Sequence, residues 1–153
     1  MRALVLSALI AVPLFAAPVA AKDGMIHQMA PGSVADTVDA FTKVLESKGA
    51  TVFATVDHAK GAAKADMDLA PATLVIFGNP RIGTPLMQAA PTMGADLPLR
   101  VLFYEDADGM THIVYHDLDK VAAEHGIAAD HPALAKAKGA MKNLTAAVAK
   151  QPE

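Results

Sequence analysis

The sequence predicts an α+β fold, a single domain with a mostly antiparallel sheet and helices packed on it. Three observations lead there. Apolar residues switch repeatedly between alternating and helical spacing, in the order strand, helix, strand, helix, strand, helix, two-stranded hairpin, helices. Residues 99–106 and 110–116 are strand-like runs flanking Asp108-Gly109, a hairpin signal that implies antiparallel pairing. The chain has 153 residues, 53% hydrophobic and 19% charged, enough for one core and too apolar for disorder. No linker, repeat or low-complexity segment divides it.

Residues 1–21 read as a secretory signal peptide. Met1-Arg2 is a short positive start, an apolar run follows, and Val19 and Ala21 are the small residues expected before a cut at Lys22. The apolar stretch is short and broken by Pro13, unlike the ~20 residues of a spanning helix. With no cysteine after the cut, a lipoprotein anchor is excluded. The expectation is a periplasmic or secreted protein, free of the membrane once cleaved, with residues 22–153 forming the domain.

Residues 25–30 alternate as a first strand, and Pro31-Gly32 turns the chain. Ser33 caps a helix with Val34, Val38, Phe41 and Leu45 at helical spacing; Ser33 with Asp36 resembles a capping box, and Gly49 sits at the C-cap. Residues 51–56 are β-branched and aromatic, hence a strand. An Ala-rich helix is expected over 59–67 and a buried strand over 72–77. Thr84-Pro85 reads as an N-cap with proline in the first turn. Residues 118–125 form a short helix ended by Gly126. Pro132 opens the last helix, striped by Leu134, Ala137, Met141, Leu144 and Val148.

A three-residue hairpin loop, Ala107-Asp108-Gly109, pairs Tyr104 with His112, Leu102 with Val114 and Arg100 with His116. One face then carries Val101, Phe103, Ile113 and Tyr115, which is core. The other presents Arg100, Tyr104, His112 and His116 on an apolar floor. That face is a candidate site for a small anionic or aromatic molecule, with Arg100 as fixed charge and Tyr104 as hydrogen-bond donor. It also suits a sheet face covered by a helix or a second subunit, since mixed faces are common on antiparallel sheets.

The composition excludes several chemistries. Without cysteine there are no disulfides, thiolate metal sites or thiol nucleophiles. No Gly-x-Ser-x-Gly elbow exists, so covalent hydrolysis is disfavoured. A formal charge of −3 with no Lys/Arg run argues against nucleic acid. His112 and His116, four residues apart on a strand, are about 13 Å from each other and cannot share an ion. Met25, His27 and Met29 alternate onto one strand face, a soft ligand set suited to Cu(I). Asp57-His58 ends the second strand, where an inward imidazole beside a carboxylate is a candidate acid–base pair. The run from Gly78 to Thr84, including Asn79 and Arg81, is a candidate anion loop.

Asp57-His58-Ala59, Phe77-Gly78-Asn79-Pro80, Asp96-Leu97-Pro98-Leu99-Arg100 and Tyr115-His116-Asp117, in this order, resemble the domain-of-unknown-function family numbered 302. The likeness spans about residues 25–148. It implies a compact, dimeric α+β domain, sometimes exported, and no established activity. Its motif positions here are Asp57, His58, Phe77, Asn79, Pro80, Leu97 and Pro98.

The functional expectation is a periplasmic homodimer that binds a small anionic or aromatic molecule, or a metal complex, through the hairpin face and His58. A small His58/Asp57 enzyme and a copper-handling protein are the alternatives.

Overall fold

The computed structural model describes residues 24–149. The signal peptide expected over residues 1–21 lies outside the described residues. Five strands, β1 (Met25–Ala30), β2 (Thr51–Asp57), β3 (Ala72–Gly78), β4 (Leu99–Glu105) and β5 (Thr111–His116), form one sheet in the order β1-β5-β4-β3-β2. Every neighbouring pair is antiparallel. The helices are α1 (Val34–Ser47), α2 (His58–Ala63), α3 (Pro80–Ala89), α4 (Leu118–Glu124) and α5 (Pro132–Ala146), with a 3-10 turn at Pro91–Ala95. The α+β class read from the sequence is the one observed.

Local chemistry explains most boundaries. The Ser33 hydroxyl accepts from the Asp36 amide at 3.1 Å and donates to Asp36 Oδ2 at 2.7 Å, so Ser33 is the N-cap of α1 and the aspartate holds its hydroxyl rather than closing a capping box on its amide. Gly109 holds φ +75 in the hairpin loop, where a side chain would strain the left-handed backbone. Tyr104 pairs with His112 and Leu102 with Val114, the register the loop length demanded. His131 Nδ1 accepts from Ala133, and Pro132 needs no partner for its missing N–H, so α5 begins there.

Four local expectations are corrected. The third helix starts at Pro80, capped by Asn79, and Pro85 lies inside it. Asn79-Pro80 and Thr84-Pro85 are equivalent start signals, and the upstream one wins because Asn79 is also tied to another loop. The Gly78–Thr84 run is therefore a first helical turn rather than an anion loop: Asn79 takes the Arg81 amide, and the Asn79 carbonyl takes those of Ile82 and Gly83. Helix α2 stops at Ala63, short of residue 67. His58 is exposed rather than inward, because the register of β2 slips between Val52 and Ala54 and β2 is an edge strand.

The core lies between one sheet face and helices α1, α3, α4 and α5. Val75, Phe77, Val101, Phe103 and Ile113 meet Phe41, Leu45, Leu86, Leu134 and Met141, all nearly inaccessible. Phe41 is its hub, with ring centroids 5.4 Å from Phe77 and 5.1 Å from Phe103. The opposite sheet face is largely open. Met25, Met29 and Val56 are exposed there, Leu74, Ile76 and Leu102 are half-buried, and Val114 is covered.

Candidate functional site

An apolar cavity sits where β3 and β4 run out of the sheet, between the start of α3 and the middle of α5. Its volume is about 310 Å³, and its walls include Phe53, Phe77, Ile82, Leu97, Pro98 and Leu144. No charged side chain lines it. The slip in β2 places Phe53 beside this end of the sheet, where Gly78 makes room for it. A Cβ on Gly78 would stand 3.3 Å from the Phe53 ring and 3.6 Å from Pro98.

Asn79 closes one side of the cavity, and both halves of its amide are engaged. Oδ1 accepts from the Arg81 amide at 2.9 Å, and Nδ2 donates to the Gly49 carbonyl at 3.2 Å. The side chain thus ties the start of α3 to the turn between α1 and β2. With its amide committed, the wall offers a ligand mainly apolar surface, and such a pocket selects by shape and hydrophobic area.

Of the ligand residues read from the sequence, only Asn79 lines this cavity. The hairpin face divides into two clusters, separated by four residues along the strands. At one end the Tyr104 and His112 rings stack, centroids 5.0 Å apart and planes at 15°, and His112 Nε2 lies 2.6 Å from Asp106 Oδ2. At the other, Arg100 pairs with Asp96 at 3.4 Å and borders a small cleft with His116. Asp96 also holds His125 Nε2 at 2.8 Å, and His125 Nδ1 meets the Thr92 hydroxyl at 2.9 Å. His125 is the C-cap of α4 and also clamps α4 to the 3-10 turn.

His58 lies beyond the end of β2, with two strand spacings, about 10 Å, between β2 and the strand that carries Tyr104. Asp57 caps α2, its Oδ1 accepting from the Lys60 amide at 2.8 Å. Both residues are exposed. The β1–β5 register sets Met29 opposite His112, Met25 opposite His116, and His27 opposite Val114 on the open face. Among the described residues, no group of three or more His, Asp or Glu side chains is placed to hold a metal ion.

Among the described residues, two titratable groups depart from their ordinary range. The hydrogen bond from His112, with those from the Met110 and Asp108 amides, holds the Asp106 carboxyl below its usual 3.8. Burial pushes the Tyr115 phenol above 10.0, against a hydrogen bond with Thr145.

Sequence reasoning missed Phe53, Ile82, Met87 and Ala140 in the cavity wall. The signal lay in the family motif. Phe77, Asn79, Pro80, Leu97 and Pro98, five of the seven motif positions, line this one cavity.

The comparisons with known proteins agree with that likeness. The family model for a domain of unknown function, DUF302, matches residues 26–150. The chain is 39% identical over 104 residues to "Fluoride-specific ion channel FluC 1" of Brucella suis biovar 1 (strain 1330), covering 68% of this chain and 41% of that protein. It is equally similar to FluC 1 of Brucella abortus biovar 1 (strain 9-941), covering 38% of it. The chain therefore spans about two fifths of the length of these relatives. The fold is similar to the crystal structure of an uncharacterized conserved DUF302 protein from Bacillus stearothermophilus, with a TM-score of 0.70 and 16% identity over 83% of this chain and 97% of that one. Among the described residues, no helix is long and apolar enough to cross a membrane. With the family model covering most of its length, the chain belongs to the DUF302 family of domains of unknown function.

Proposed function

We propose that this protein is an exported binding protein for a small, mainly apolar molecule, held in the cavity between α3, α5 and the ends of β3 and β4. One observation carries the reading: residues distant in sequence, Phe77 to Pro80 and Leu97-Pro98, converge on a single uncharged cavity. At about 310 Å³ it lies at the small end of ligand pockets and suits one ring or a short acyl chain. Of the ligand classes read from the sequence, this wall favours the aromatic one. Export rests on the signal-like residues 1–21.

The named relatives are fluoride-specific ion channels, and this chain matches about two fifths of them. Conducting an ion across a bilayer requires spanning segments. No described helix here qualifies. We read the shared stretch as a part those proteins carry beside their channel, so channel activity is not proposed for this chain.

Native mass spectrometry of protein purified from the periplasm tests the reading. A co-purifying apolar mass, displaced by organic solvent and absent from a cavity-filled variant, is the expected result. A chain that carries no such mass and takes up no apolar probe, such as 8-anilinonaphthalene-1-sulfonate, overturns it.

A second reading concerns the open sheet face. Its exposed Met25, Met29 and Val56 beside half-buried Leu74, Ile76 and Leu102 form one apolar tract. A second copy packing there would remove it from water and make the protein a homodimer.

A further inference from the structure

The open sheet face carries donors that the apolar cavity does not use. Strand alternation puts Met25, His27 and Met29 in a row on the β1 edge of that face, and β5 adds imidazoles alongside. Met29 stands directly across from His112. His27 stands across from Val114, and so diagonally from His112. Directly opposed side chains start about 5 Å apart and diagonal ones about 7–8 Å, within reach of long and aromatic side chains. Along β1, His27 and Met29 are separated by about 6.6 Å, two strand rises. One thioether and two imidazoles therefore stand close enough to share a single ion.

His112 is prepared for that role. Its Nε2 lies 2.6 Å from Asp106 Oδ2, and a carboxylate only accepts, so the proton sits on Nε2 and Nδ1 of the neutral ring keeps its lone pair. A carboxylate behind an imidazole is how metal-binding histidines are oriented and made more basic. The Tyr104 ring, stacked at 5.0 Å, fixes the plane of the imidazole. Met29 is 39% exposed, so its thioether is open to an incoming ion rather than spent on packing.

The donor set selects the ion. Among the described residues no three His, Asp or Glu side chains converge, so zinc and harder divalent ions lack a full shell. One sulfur with two neutral nitrogens is a soft, uncharged set, and it suits monovalent copper. The other end of the row is less favourable. Met25 faces His116, but His116 borders its cleft with Arg100, whose fixed charge repels a cation.

We infer that Met29, His27 and His112 bind one Cu(I) ion per chain at the β1 edge of the open face, His112 through Nδ1. The site does not rest on the reading given to the apolar cavity. Nor does it exclude a second copy packed on Leu102 and Leu74, which lie two and three strands from β1.

Anaerobic titration of the purified protein with Cu(I), supplied as its acetonitrile complex, tests this by NMR of methionine methyl and histidine ring signals. Cu(I) should shift the signals of Met29, His27 and His112, saturating at one ion per chain, and leave those of Met25 and His116 in place. Met29→Leu, His27→Gln and His112→Phe should each weaken binding at least tenfold; the phenylalanine keeps a ring on Tyr104. Met25→Leu should bind like the parent, and neither leucine variant should lower the Tm of the free protein. The inference falls if Cu(I) shifts none of these signals, or shifts Met25 and His116 as far as Met29 and His112. It falls equally if Met29→Leu still binds like the parent.

Discussion

His112 and Asp106 lock the hairpin from opposite ends of one interaction. The imidazole Nε2 donates to Asp106 Oδ2 at 2.6 Å, while Oδ1 of the same carboxylate accepts the Asp108 and Met110 amides at 3.0 and 2.9 Å. The His112 ring meanwhile lies flat on Tyr104. One carboxylate therefore organises the turn and orients a side chain on the open sheet face. Fixing that side chain also fixes which face of the hairpin meets the core.

This arrangement predicts an acid response. The Asp106 carboxyl is held below 3.8 in the fold, so the ionised form contributes stability above the unfolded value. That contribution is lost as pH falls through the lower, folded value. Asp106→Asn keeps an acceptor for the loop amides but removes the charge. Urea unfolding between about pH 5 and pH 2 should show a shallower loss of stability in the variant than in the parent. Identical slopes would mean that the pair has no energetic weight.

The apolar cavity predicts a separation of stability from binding. Ala140 is half-buried on its wall. Ala140→Phe should bury added apolar area without displacing core, raising stability by about 1–2 kcal/mol while excluding an apolar guest. A variant that is stabilised and still binds the guest would place the ligand elsewhere.

The open face predicts a concentration-dependent assembly. Leu102 is half-buried at its centre, next to Leu74 and Val114 in the register. Leu102→Glu should shift sedimentation from dimer to monomer and leave the far-ultraviolet circular dichroism unchanged. A parent that sediments as a monomer at every concentration removes the dimer reading.

The aromatic hub predicts a large loss. Phe41 is inaccessible to solvent and touches rings from two strands. Phe41→Ala should cost about 3–5 kcal/mol in chemical denaturation, a value typical of cavity creation at a packed phenylalanine. A loss below about 1 kcal/mol would mean that the neighbouring rings collapse into the vacated space.

The strands, most helix starts and the hairpin register were legible because each depends on signals a few residues apart. Ser33 takes the Asp36 amide at the start of α1, His131-Pro132 opens α5, and the three-residue loop sets Tyr104 against His112. Where two local signals competed, the sequence was ambiguous. Asn79-Pro80 prevailed over Thr84-Pro85 through a bond to Gly49, thirty residues away. The orientation of His58 was misread because alternation assumes an unbroken strand, and the slip near Phe53 resets the phase.

The candidate sites were the least legible part. A cavity is space between elements, and its walls come from residues 50 to 144 with no common spacing. The family motif marked some of those positions without saying that they converge. Likewise, nothing in the sequence around Met29 reveals that it stands across from His112; that follows from how β1 pairs with β5.

The sequence by itself determined the class of fold, the antiparallel hairpin, the core stripe of α5 and the exclusion of thiol chemistry. These follow from periodicity, turn stereochemistry and composition, which act locally along the chain. Only the tertiary structure decided which faces are covered, where the apolar cavity opens, and that Met29 stands across from His112. Those outcomes depend on how separate elements pack, and packing is settled by contacts between residues far apart in sequence.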